Sequence, residues 1–133
     1  MPPGSERDWV VPPLFAYGLL RPGERYWPQL QSAVRSHRPA CVRGALYLHA
    51  SGSYPMLDCT GDGWVQGDLF EVEDMDAVHA LVFMELTAGY DARWMDVFPP
   101  GAGDPSGSAV AFCWPWGTTH RGARIASGDW QDR

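Results

Sequence analysis

Leu14-Phe15-Ala16-Tyr17-Gly18-Leu19-Leu20-Arg21-Pro22-Gly23 is the stretch on which the fold turns. Its first four residues are apolar or aromatic and suit a buried strand, and Gly18 interrupts the run where the backbone must turn or approach something closely. Pro22-Gly23 marks a further turn. Beyond it Trp27, Leu30, Ala33, Val34 and His37 recur at helical spacing, with Pro28 tolerated in a first turn, so a helix is expected over residues 27–37. Upstream, Pro2, Pro3, Pro12 and Pro13 among mixed charges predict a loosely held arm over residues 1–13, leaving residues 14–133 as one domain.

Downstream the pattern becomes strand-like. Residues 41–48 and 64–72 alternate, joined by an irregular segment containing Tyr54-Pro55 and Gly61-Asp62-Gly63. Glu73, Asp74 and Asp76 then lead into a helix over residues 77–86, where acidic groups suit the positive end of the dipole. Residues 94–98 and 109–114 favour strands and flank a loop rich in Pro and Gly. Gly101 and Gly103 in that loop form no phosphate cradle, because Pro99, Pro100 and Pro105 break the strand and helix that a dinucleotide fingerprint needs. Strands interspersed with two helices predict the α+β class.

Composition narrows the function. A formal net charge of −6 and the lack of any lysine argue against nucleic acid as a partner, since phosphate backbones are repelled. Arg21, Arg25, Arg35, Arg38 and Arg43 gather in the first third and read as a solvated face. No apolar run approaches the roughly 20 residues that span a bilayer, and the start lacks a basic stretch followed by an apolar block. A soluble, cytoplasmic protein without membrane contact is therefore expected. Cys41, Cys59 and Cys113 are odd in number and widely spaced, and His37, His49, His79 and His120 lie singly, so neither a metal nor another cofactor is expected. His49, Ser51 and Ser53 are close in sequence but lack the glycines of a nucleophile elbow.

One residue does not fit its surroundings. At about 100° per residue the second helix gathers Met75, Val78, Leu81, Val82 and Leu86 on one side, and Glu85 falls among them. A carboxylate turned toward apolar surroundings holds its proton more tightly, which suits a glutamate to general acid and base work near neutral pH. The alternative is a glutamate at the edge of the stripe, paired with an arginine such as Arg93.

The opening stretch, with Gly44-Ala45-Leu46-Tyr47, Tyr54-Pro55, Val65-Gln66-Gly67-Asp68-Leu69-Phe70, then Glu85, Tyr90 and Arg93, and Ser127-Gly128-Asp129-Trp130, resembles the γ-glutamyl cyclotransferase-like superfamily, including AIG2-like proteins and γ-glutamylamine cyclotransferases. The resemblance runs from about Leu14 to Trp130. It implies a small, antiparallel-dominated β-barrel with flanking helices and a loop, here Tyr17, Gly18, Leu19 and Leu20, whose backbone amides hold a γ-glutamyl group. It also implies that Glu85 is the catalytic carboxylate, with Tyr90 as a further substrate contact. The implied reaction releases an amine from a small γ-glutamyl amine or peptide by closing the glutamyl part to pyroglutamate (5-oxoproline), with no cofactor. A non-catalytic, small-molecule-binding member of the same group is the alternative. Three positions depart from the family pattern: Val82 in place of an aspartate, Leu86 in place of a glycine, and a Tyr90 to Arg93 spacing longer by one. Neither the amine half of the substrate nor the oligomeric state is legible.

Overall fold

The computed structural model describes residues 11–101 and 103–133. The arm expected over residues 1–13 falls mostly on residues 1–10, outside the described residues. Pro13, just before the first strand, accepts the Val110 N–H on its carbonyl at 2.9 Å. In chain order the elements are β1 (Leu14–Ala16), α1 (Trp27–Leu30) running into a 3₁₀ turn (Gln31–Ala33), β2 (Val34–Arg43), β3 (Ala45–His49), β4 (Pro55–Asp58) and β5 (Trp64–Val72). Then come α2 (Met75–Thr87), β6 (Asp91–Val97), β7 (Gly107–Cys113), β8 (Arg121–Arg124) and a closing 3₁₀ turn (Trp130–Asp132).

β1 is three residues long yet buried throughout, because it lies in the middle of a five-stranded sheet ordered β2-β5-β1-β7-β6. It runs antiparallel to β5, with Phe15 opposite Leu69, and parallel to β7, with Leu14 opposite Val110. The other pairings are antiparallel, and a second sheet, β4-β3-β8, stands apart. The α+β class and the predominance of antiparallel strands are as expected, but the barrel is not closed. The edges of the larger sheet meet at a single bridge, where Cys41 and Phe98 exchange two backbone hydrogen bonds of 2.9 Å.

Side chains that alternate along a strand supply two cores. Phe15, Leu69, Ala111 and Cys113 pack with Leu46 and Leu57 of the small sheet, whereas Leu14, Phe70, Val110 and Phe112 pack with Leu30 of α1 and Val78 and Leu81 of α2. Each large side chain buried in this way contributes roughly 1.5–3 kcal/mol. Both faces of the larger sheet are thus covered, and the cavity described below opens where β1 ends beside α2.

Three local expectations are corrected. The helix placed over residues 27–37 stops at Ala33, and Val34 already pairs with Val72 as β2 begins. Leu30, Ala33 and Val34 satisfy a helical spacing over barely two turns, and pairing of nine β2 residues with β5 outweighs it. Pro39 is accommodated because β2 is an edge strand. The strand expected over residues 41–48 is two strands, broken at Gly44. The connection read as irregular contains β4, and β8 was not anticipated at all.

Candidate active site

α2 is capped by Asp74, whose side chain accepts the Asp76 N–H at 2.9 Å, and just past its end Gly89, at φ 102°, reverses the chain. That reversal returns Tyr90 beneath the last turn, with its N–H on the Glu85 carbonyl at 3.0 Å. On the opposite wall, β1 leaves the sheet at Tyr17 and the chain folds through consecutive turns, the Arg21 N–H bonding the Gly18 carbonyl at 3.1 Å and the Glu24 N–H the Arg21 carbonyl at 2.9 Å. Carbonyls are consumed in these turns. Among the described residues, the N–H groups of Gly18, Leu19 and Leu20 donate to no protein acceptor, which leaves three backbone donors at the end of a strand.

Between the two walls lies a cavity of about 410 Å³, within the range typical of small-molecule sites. Tyr17, Gly18, Leu19, Leu20, Glu85 and Tyr90 all line it. Every site residue singled out in the sequence therefore meets in one place. Glu85 is half-buried there, and burial pushes its carboxyl from the ordinary glutamate range up to about 7. Among the described residues no basic side chain lies within salt-bridge distance of it; Arg93 sits instead by Asp91, at 3.6 Å.

The two tyrosines are held by their own hydroxyls. Tyr17 donates to the Phe112 carbonyl, and Tyr90 donates to the Pro55 carbonyl at 2.7 Å. Burial, with the charge of Glu85 as a lesser contribution, raises both well above the usual phenol range. Neither titrates near neutrality, and each hydroxyl proton is committed, so toward a ligand these oxygens act as acceptors.

The glycine of the loop serves a closer neighbour than a ligand. A Cβ on Gly18 would stand 2.5 Å from Cγ of Pro55, so the loop rests directly on the β4 entry. The Pro55 ring cannot swing aside as a flexible side chain would. Gly18→Ala should therefore push the loop off its seat while the fold survives. Displacements of about 1 Å at a catalytic constellation cost up to ~100-fold in rate. Turnover should fall by at least about tenfold with little change in thermal midpoint, which paired kinetics and melting curves would measure.

The sequence reading missed part of the lining. Met84 and Ala88 flank Glu85 on α2, Tyr54 and Pro55 come from the β4 entry, and Arg25 and Tyr26 follow the loop. Helical spacing around Glu85 could have indicated Ala88, three residues on; Tyr54-Pro55 carried part of the resemblance without being assigned to the site, and nothing in the pattern marked Arg25 as part of it. Leu86, expected on the inward stripe, is instead half-exposed, because the wall of α2 is set by Val78, Leu81 and Glu85. Neither Leu86 nor Val82 lines the cavity, so two of the three departures from the family pattern lie off the site.

The family model for gamma-glutamyl cyclotransferase, AIG2-like proteins matches residues 14–132. This chain belongs to that family. Solved structures with the same fold include PH0828 of Pyrococcus horikoshii, at 23% identity over 93% of this chain and 92% of the other, TM-score 0.65. An AIG2-like protein of Mus musculus is 19% identical over 83% and 80% of the two chains, with a TM-score of 0.62. YkqA of Bacillus subtilis matches 91% of this AIG2-like chain at 23% identity and TM-score 0.66, the match spanning 40% of YkqA. No curated protein matches. At these identities the structural likeness establishes the AIG2-like fold. Among the described residues no helix is long and apolar enough to cross a membrane, and no group of three or more His, Cys, Asp or Glu is placed to hold a metal ion.

Proposed function

We propose that this AIG2-like protein is a γ-glutamyl cyclotransferase acting on a small γ-glutamyl amine or peptide. The observation that carries the reading is a half-buried carboxylate, with its pKa near 7, that shares one cavity with a loop whose Gly18, Leu19 and Leu20 N–H groups, like the carboxylate, have no protein partner among the described residues. The α-amine nitrogen of the substrate attacks its own γ-carbonyl carbon. As that C–N bond forms, Glu85 takes a proton from the nitrogen, and negative charge gathers on the carbonyl oxygen near the N–H groups of Gly18, Leu19 and Leu20. Glu85 then returns the proton to the departing nitrogen as the original C–N bond breaks, leaving pyroglutamate and a free amine. Nucleophile and electrophile share one molecule, so the protein has only to fold the glutamyl chain and move a proton.

A panel of γ-glutamyl amides and peptides assayed for pyroglutamate tests the activity. Release from at least one member is expected; binding without release from any would make the chain a binding module of the same family. The pH dependence follows from Glu85. Turnover at low substrate should rise with pH along a limb centred near 7, where the base form appears. Stability runs the other way, since a carboxyl that holds its proton more tightly when folded stabilises fully below its unfolded value, and that contribution is lost as pH rises through about 7. Rate profiles and melting curves over this window would check both signs. A flat rate profile would remove Glu85 from the proton transfer.

A further inference from the structure

We infer that Cys59 and Cys113 form a reversible disulfide when the chain meets a small oxidant of the glutathione disulfide type, and that this link fastens the small sheet to the larger one. Neither cysteine lines the cavity, so the pair is separate from the site described above.

Both thiols are free, Cys113 buried and Cys59 partly exposed. They belong to the same core: Cys113 is 1% exposed within it, and Cys59 packs against it. The backbones meet where β7 ends and β4 gives way to a turn, the Trp114 N–H donating to the Leu57 carbonyl at 2.9 Å. Hydrogen-bonded neighbouring chains lie about 4.8 Å apart, inside the roughly 4.4–6.8 Å between Cα atoms that a disulfide spans. Cys113 stands one residue from that hydrogen bond and Cys59 two. The Cys59 side chain is close enough to act on the Cys113 thiol through charge and hydrogen bonding, and Met95 Sδ lies 3.8 Å from the same sulfur. Cys41 is engaged elsewhere, its Sγ 3.7 Å from the Phe98 carbonyl and 3.6 Å from that of Pro99.

The two thiols divide the chemistry. Burial first, and then the neighbouring Cys59, raise the Cys113 thiol well above its ordinary range, so it keeps its proton and does not open the reaction. Cys59 reaches solvent from the turn in which the Gly61 N–H bonds the Asp58 carbonyl at 3.2 Å. Its thiolate attacks one sulfur of the small disulfide, forming a mixed disulfide and expelling the first small thiolate. The Cys113 sulfur then gives up its proton, attacks the Cys59 sulfur and expels the second. The chain loses two hydrogens, and the small disulfide is reduced to two thiols. A thiol that holds its proton tightly is a poor leaving group, so the finished link persists until a dithiol reductant is supplied.

Trypsin cuts after Arg43, Arg93 and Arg121, which puts Cys41, Cys59 and Cys113 on separate peptides. The full chain is incubated with glutathione disulfide, alkylated in denaturant and digested. Peptide 44–93 should emerge joined to peptide 94–121, with Cys41 alkylated. Closing a loop of this length should raise the thermal midpoint by about 10 °C, and dithiothreitol should reverse the rise. In Cys59→Ser neither the joined peptide nor the rise should form, and in Cys113→Ala glutathione should stay on Cys59. If the alanine leaves the core too weak to fold, wild type and Cys59→Ser decide the matter. Glutathione retained on Cys59 of the wild type with Cys113 alkylated, a link through Cys41, or three unreacted thiols overturns the inference. A joined peptide without a rise in midpoint overturns the fastening role.

Discussion

Glu85→Gln is expected to fold, to bind a γ-glutamyl amide with nearly unchanged affinity, and to lose about two to four orders of magnitude in pyroglutamate formation, the contribution typical of a general acid–base group. Glutamine keeps the volume of glutamate and cannot exchange a proton. The packing around residue 85 gives no reason for the variant to misfold, since the native carboxylate is unpaired among the described residues and its burial disfavours the charge. Removing that charge should raise stability slightly above pH 7 and leave it unchanged in acid. The decisive comparison is turnover against binding on one substrate: a loss in kcat with the dissociation constant held identifies a group acting in the transition state. Turnover within a few-fold of wild type would assign the proton transfer elsewhere. Tyr17 and Tyr90 are poor substitutes, because burial raises both phenols far above neutrality and their protons are held by the carbonyls of Phe112 and Pro55.

The position of Glu85 was legible because one helix is long enough to define a face. Thirteen residues of α2 give Met75, Val78 and Leu81 time to establish which side is inward, and Glu85 follows in the same register. The end of that helix was not legible. Leu86 is apolar but exposed, while Val82 and Met84 beside it still pack against the core, so composition alone does not tell the two apart, and Gly89 turns the chain away just beyond. α1 failed for the converse reason: four residues cannot establish a period, and pairing of Val34 to Arg43 with β5 is a long-range choice that local spacing does not carry. β4 and β8 are four residues each, stabilised by Leu46, Leu57 and Ile125 across the small core rather than by any alternation of their own. The sequence marked Gly18 as a place of turn or close approach without saying what is approached, because the close neighbour of that glycine is Pro55, nearly forty residues on.

Arg21→Met should cost about 3–5 kcal/mol of folding stability, the size expected when one partner of a buried ion pair is removed. Arg21 is 8% exposed and sits at the exit of the Gly18 loop. Its Nε donates to Asp68 on β5 at 2.8 Å and its Nη1 to Asp129 before the C-terminal turn, also at 2.8 Å. Burial works against its charge, but the hydrogen bonds and charges of the two aspartates prevail and hold its pKa above the ordinary arginine value. One side chain thus ties the loop to the strand paired with β1 and to the segment whose Gly128 carbonyl accepts the Gln66 N–H at 2.8 Å. Methionine fills much of the same space and supplies no donor, so the Asp68 carboxylate, itself 9% exposed, keeps its desolvation and loses its partner. Replacing Asp68 by leucine in the same chain should recover a substantial part of the loss, because the uncompensated charge is then gone as well. Urea unfolding of the two single variants and the double variant gives the coupling directly. A single-variant loss below about 1 kcal/mol would mean that the pair is solvated and that the loop is held by its turns alone.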